Sequence, residues 1–159
     1  MDTPGMLKQG DRVYVAIDAG ATAFRRGTVK GARSEGGRNT VYVELSDGTM
    51  SGPLIDPSPA VQNGHDWAAK AREEVEAGQS IDGLTENGRE LFFAAALQLQ
   101  KAEHAYGKGD FDGGEASILE AGATLNEIHA IDDLPSDARL HLASGWSYVK
   151  YIVDAIERG

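Results

Sequence analysis

The chain offers few side chains that could do chemistry, and their spacing restricts them further. There are four histidines, His65, His104, His129 and His141, and no cysteine. Without thiols, neither a disulfide framework nor a thiolate metal site can form. No Glu-x-x-His pair occurs, so the pattern that holds two metal ions between helices is missing. No His-Glu-x-x-His run sets two imidazoles on one helical face. His104 and His129 could meet only if two helices slipped past each other, and solvated or capping histidines are expected instead. Gly107-Lys108-Gly109 with Gly113 has the residue types of a phosphate loop, but the turn follows a helical stretch and not a strand. Asp110 and Asp112 begin like a calcium loop, yet Ala121 stands where its bidentate glutamate belongs. Ser144 lies inside a helical stretch without the flanking glycines of a nucleophile elbow. Carboxylates are plentiful but scattered, with none isolated in apolar sequence where burial would shift it. A non-enzymatic protein is expected, with no catalytic residue, no cofactor and no metal.

Charge is the more informative feature. The net charge is −10 at pH 7. Residues 1–59 carry seven Lys/Arg against seven Asp/Glu, whereas residues 60–159 carry eight against eighteen. Within the neutral part, Arg25, Arg26, Lys30, Arg33 and Arg38 face only Glu35. This tract is a candidate contact for nucleic acid or an acidic partner. In the acidic part, Glu115, Asp132, Asp133 and Asp137 are the candidate contacts for a basic protein surface. The bland alternative is that acidity aids solubility and the basic tract is a solvated hairpin.

These residues must be positioned by two kinds of structure. Before residue 59 the apolar period is two: Val13, Val15 and Ile17, then Val41, Val43 and Leu45, each give one apolar face. Strands are expected at 13–17, 26–30, 41–45 and 49–55, with a flexible loop at 31–38 around Gly36-Gly37 and a tight turn at Asp47-Gly48. Met1 to Met6 reads as a loose tail and 52–64, with Pro57 and Pro59, as a linker. Four or five short strands in so little chain cannot form an open sheet with a core, so curling into a small barrel is expected. Gly-Asp-Arg-Val-Tyr-Val at 10–15, Gly-Thr-Val at 27–29 and Val-Tyr-Val-Glu-Leu-Ser-Asp-Gly at 41–48 resemble the SH3-like small barrels of the KOW and Tudor type. That resemblance covers residues 7 to about 55. It implies binding of RNA, DNA, methylated tails or protein.

After residue 60 the period becomes helical. Asp66 would cap a helix ending near Gly78, and Thr85 a long helix to Tyr106. The partner helix runs to Ile131, and a last one starts at Asp133 or Ser136. Leu91, Phe92, Phe93, Leu97, Leu99 and Tyr106 load the long helix with apolar residues. Leu142, Trp146, Val149, Val153 and Ile156 form a stripe that would cover it, with Trp146 against the Leu91–Leu99 face. Tyr106 to Ala121 resembles one tetratricopeptide-repeat hairpin, although Gly114 and Gln98 depart from that pattern and no second copy stands at that repeat's period.

The expected fold class is α+β: an SH3-like small β-barrel over residues 1–59, then an acidic three- to four-helix bundle over 60–159. No apolar run is long enough to suggest a membrane span, and nothing after Met1 looks like a secretory leader, so the cytoplasm is the expected compartment. The expected function is protein binding or inhibition through the acidic helices, in one form as the nucleic-acid mimic of a mobile element. The alternative is a nucleic-acid-binding barrel whose helical half oligomerises or recruits.

Overall fold

A computed structural model describes residues 7–55 and 61–159. The expected tail at 1–6 and the core of the expected linker, with Pro57 and Pro59, lie outside the described residues. The protein is α+β, a five-stranded antiparallel sheet followed by four helices. The chain divides into two compact units, Met1–Asn63 with Asp154–Gly159, and Gly64–Val153.

In the first unit the strands are β1 (Arg12–Ala16), β2 (Phe24–Glu35), β3 (Arg38–Leu45), β4 (Met50–Ile55) and β5 (Val61–Gln62), in the order β4-β3-β2-β1-β5. Among the described residues no ladder joins β4 to β5, so the sheet is not closed. Val13, Val15, Val29, Val41, Val43 and Val61 form one buried cluster, with Leu7, Leu45 and Leu54 packed on it. β-branched residues at alternate positions are what a pleated sheet with one covered face requires.

Two local expectations are corrected here. The segment expected as a loop at 31–38 is mostly strand, because Gly36 (φ 58°) and Gly37 (φ 81°) make a two-residue turn that lets β2 and β3 stay paired to Glu35 and Arg38. The segment expected as linker contains β5, whose Val61 pairs with Val15. The division between units consequently falls at Asn63/Gly64. Arg26 Nη2 donates to the Ile156 carbonyl at 3.4 Å and Arg158 Nη1 to the Phe24 carbonyl at 3.2 Å, which ties the last residues of the chain to β2.

The helices are α1 (His65–Gln79), α2 (Glu86–Gly107), α3 (Phe111–His129) and α4 (Ser136–Arg158). α2 and α3 start on side-chain caps: Thr85 accepts from the Gly88 N–H at 3.0 Å and Asp110 from the Gly113 N–H at 2.9 Å. α1 starts two residues earlier than expected, with Gly64 and not Asp66 at its N-cap and no side-chain cap. Gly78, expected to stop α1, lies inside it, and a Cβ there would come within 2.6 Å of the buried Phe92 ring.

The core of this unit takes Phe92, Leu99 and Tyr106 from α2 and Ile118, Leu125 and Ile128 from α3. Phe93 and Leu97 are outside it, 52% and 43% exposed. α4 buries Ala138, Leu142, Val149, Ile152 and Ala155, so its buried face is rotated from the expected stripe. Trp146, expected to be buried, is half-buried, and it lies against Gly122 of α3. On its other side α4 meets α1, where a Cβ on Gly145 would lie 3.2 Å from Val75 and where Tyr151 stacks on Trp67 at 5.1 Å. A helix gripped from two sides buries a wider arc than one stripe.

The helices also repeat. Shifting the chain by fifty positions lays α1–α2 onto α3–α4: Ile81-Asp82-x-Leu84 recurs as Ile131-Asp132-x-Leu134, Arg89 as Arg139 and Gly64 as Gly114. Burial follows the same shift at Ala71/Ala121, Val75/Leu125, Phe92/Leu142, Leu99/Val149 and Ala102/Ile152.

Candidate functional site

The basic tract is distributed by β2 instead of being gathered. A strand rises about 3.3 Å per residue, so Arg25 and Arg33 are separated by about 26 Å along it. Arg25 and Arg26 point to opposite faces by the alternation of the strand and both are half-buried. The Arg25 guanidinium pairs with the Asp47 carboxylate. Asp47 also accepts from the Thr49 hydroxyl at 2.6 Å and from the Thr49 N–H at 3.0 Å. These hydrogen bonds, with Arg25 adding to them, hold its carboxyl below the usual carboxylate range. Both guanidinium groups are thus engaged within the fold, Arg25 by Asp47 and Arg26 by the Ile156 carbonyl. Lys30 is exposed at the irregularity between Val29 and Gly31, and Arg33 and Arg38 are exposed beside the turn.

The register brings a different group together. Arg33 lies opposite Thr40 and Gly31 opposite Tyr42. Arg38, Thr40 and Tyr42 alternate along β3 with the buried Val41 and Val43, so Arg33, Arg38 and Tyr42 share the outward face. Tyr42 is 47% exposed there. Arg33 and Arg38 thus lie on the same face as an open aromatic ring, Arg38 about 13 Å from Tyr42 along β3. Tyr42 could have been found in the sequence by pairing β2 with β3 through the Gly36-Gly37 turn.

The acidic group is assembled by the two loops at one end of the helices. A Cβ on Gly83 would lie 3.6 Å from Pro135, and one on Gly88 3.7 Å from Ile131, so the loops 80–85 and 130–135 touch. Asp82 and Glu86 thereby join Asp132, Asp133 and Asp137, and all five are exposed. Arg139 is drawn in as well, its Nη2 donating to the carbonyls of Ile131 at 2.9 Å and Asp132 at 3.1 Å. Glu115 departs from expectation. It is only 7% exposed, because α3 turns the arc of Phe111, Gly114 and Ile118 inward and Glu115 falls on it. A buried carboxylate cannot belong to a docking face.

A third feature was not anticipated from the sequence. Between α1 and the C-terminal half of α2 lies an open hollow of about 650 Å³ lined by His65, Arg72, Gln100, Glu103, His104, Gly107 and Lys108. Arg72 is pinned there: its Nε donates to Glu103 Oε2 at 2.6 Å and its Nη1 to Glu76 at 3.2 Å. The Glu103 bond first, and the Glu76 bond after it, raise the guanidinium pKa against the opposing effect of burial. His65 lies between Asp66, 3.3 Å from Nδ1, and Glu103, 4.0 Å from Nε2. Elsewhere His141 Nδ1 meets Glu74 Oε2 at 2.9 Å. Among the described residues no group of three histidine or carboxylate side chains converges as metal ligands. None of the described helices is long and apolar enough to cross a membrane.

Comparison with known proteins adds no relative: no family model, curated protein or solved structure gives a significant match to the chain.

Proposed function

We propose that this chain is a non-enzymatic binding module whose acidic helical end docks a protein with a basic surface. In this reading the sheet is the greater part of an SH3-like small barrel and the helices form an up-and-down bundle. The observation that carries it is the meeting of two loops that places Asp82, Glu86, Asp132, Asp133 and Asp137 together. The unit Gly64–Val153 holds sixteen Asp/Glu against seven Lys/Arg, so its field attracts cationic surfaces over long range and repels polyanions. Imitation of a nucleic acid toward a protein that normally binds one is one form of this function.

The test is capture from nuclease-treated lysate followed by association kinetics. Changing Asp82, Asp132, Asp133 and Asp137 to Asn should slow association by about tenfold or more and flatten its salt dependence. An unchanged association rate would refute the acidic surface.

The outward group of Arg33, Arg38 and Tyr42 supports a second reading, single-stranded nucleic-acid binding by the sheet. Arg33→Glu with Arg38→Glu should then abolish binding, and the affinity of the unaltered chain should fall with salt by about 0.7 log–log units per single-strand phosphate contact. Binding that survives this pair would refute it.

A further inference from the structure

The fifty-residue repeat supplies an internal control for the hollow between α1 and α2. In the second hairpin a Cβ on Gly122 would lie 3.5 Å from Trp146 and 4.0 Å from Val153, so an indole and a valine close over that glycine. The matching positions of the first hairpin are Arg72 for Gly122, Ala96 for Trp146 and Glu103 for Val153. There the small Ala96 replaces the indole, and the Arg72–Glu103 ion pair spans the helices. The same architecture thus fills one groove and leaves the other open and charged. Packing of helical hairpins does not by itself require the hollow.

The outward ridge of α2 shows a second departure. Phe93, Leu97, Gln100 and His104 follow one another at helical spacing, four, three and four residues apart, and therefore line one stripe. The stripe is apolar at Phe93 and Leu97 and polar where it enters the hollow. Its counterparts in the second hairpin begin with Ala143 and Ser147. The second hairpin has no large hydrophobic at these two positions, its own exposed leucines, Leu119 and Leu140, standing elsewhere on it.

We infer that this groove is a binding site for a small amphiphilic anion, its charged head in the hollow and its apolar tail along Leu97 and Phe93. Arg72 and Lys108 are the cations of the lining and Glu103 its carboxylate, with Glu76 paired to Arg72 and Asp66 beside His65 just outside it. His65, His104 and Gln100 add N–H donors, which suit a carboxylate or phosphate oxygen. The pinned Arg72 is oriented before any ligand arrives, which lowers the entropy lost on binding. A hollow of this volume lies within the range of small-molecule sites. From Gln100, where the ridge enters the hollow, to Phe93 the helix rises about 10 Å, a distance that a medium-length acyl chain covers. The site is independent of the acidic end and of the outward face of the sheet.

The experiment is a titration of the whole chain with octanoate, followed by NMR of the His65 and His104 rings and the Phe93 and Leu97 side chains. Saturable shifts at both ends of the groove are expected below about 10 mM. Acetate, which lacks the tail, and octanol, which lacks the charge, should each bind at least about tenfold more weakly. Lys108→Glu and Leu97→Ser, both at exposed positions, should weaken octanoate by a similar factor, while Lys101→Glu, outside the lining, should not. Four outcomes overturn the inference: no saturable shift; octanol equal to octanoate, which marks an apolar patch only; Lys101→Glu as harmful as Lys108→Glu, which marks long-range charge only; or binding to anionic vesicles without binding to free octanoate.

Discussion

Gly114→Ala sets helix propensity against packing with opposite signs. Inside an exposed helix this change would stabilise by roughly 1 kcal/mol, since alanine loses less backbone entropy on folding. Gly114 is buried, however, and a Cβ there would stand 2.7 Å from three atoms of the Tyr106 ring. That ring is 4% exposed, meets Phe111 edge-on at 6.0 Å, and lies so close to Gly64 that a Cβ there would come within 2.5 Å. A rigid ring held in this way cannot withdraw by most of an ångström without moving backbone. Overpacking of this kind costs roughly 1–3 kcal/mol, and the rigidity places it at the upper end. With the propensity gain subtracted, Gly114→Ala should destabilise by about 2 kcal/mol. Denaturant unfolding followed by fluorescence and circular dichroism measures this directly. In a Tyr106→Leu background the added methyl has room, and the same change should become neutral or stabilising, a coupling of at least about 1 kcal/mol. A wild-type background in which Gly114→Ala raises stability by the full propensity increment would refute the close approach of α3 to Tyr106.

Thr85→Ala removes the acceptor for the Gly88 N–H and should cost about 1 kcal/mol, and Asp110→Ala should cost a similar amount at α3, both read from the unfolding midpoint. Asp47 should titrate below 3.8 by carboxyl-detected NMR, because its hydrogen bonds from Thr49 and its pairing with Arg25 favour the charged form. Its folded pKa is lowered, so its contribution to stability is complete above the unfolded value and is lost as pH falls through the folded one. Thr49→Val should return the midpoint toward the unperturbed value, and no change would refute the assignment of the shift to Thr49.

Where the sequence was legible, the signal was local. Val13/Val15 and Val41/Val43 mark a covered sheet face by their period of two, and Thr85 marks a helix start by its cap chemistry. The change from sheet to helices follows from the same periods, because a strand and a helix bury different spacings of the same residue types. The acidity of the helical part is likewise a property of composition. The fifty-residue recurrence of Ile-Asp-x-Leu and its arginine was present in the sequence as well, but its meaning lies in burial positions that only the packing reveals.

Tertiary structure decided everything that depends on phase or pairing. Gly36-Gly37 is compatible with a floppy loop or a tight turn, and only the β2–β3 ladder selects the turn. That choice spreads Arg25 and Arg33 along a strand and sets Arg33 and Arg38 on the same face as Tyr42. Glu115 reads as one more surface acid until the helix is rotated by its neighbours, which turn it inward. The arc that α4 buries within the helical unit is set by α1 and α3 together, which is why Ile152 is fully buried while Trp146 remains half-open. The hollow of His65, Arg72, Glu103, His104 and Lys108 joins residues more than thirty positions apart, on two helices whose registry no local pattern records. Spacing along the chain sets which face a residue can share, and packing between elements sets which of those faces meets solvent.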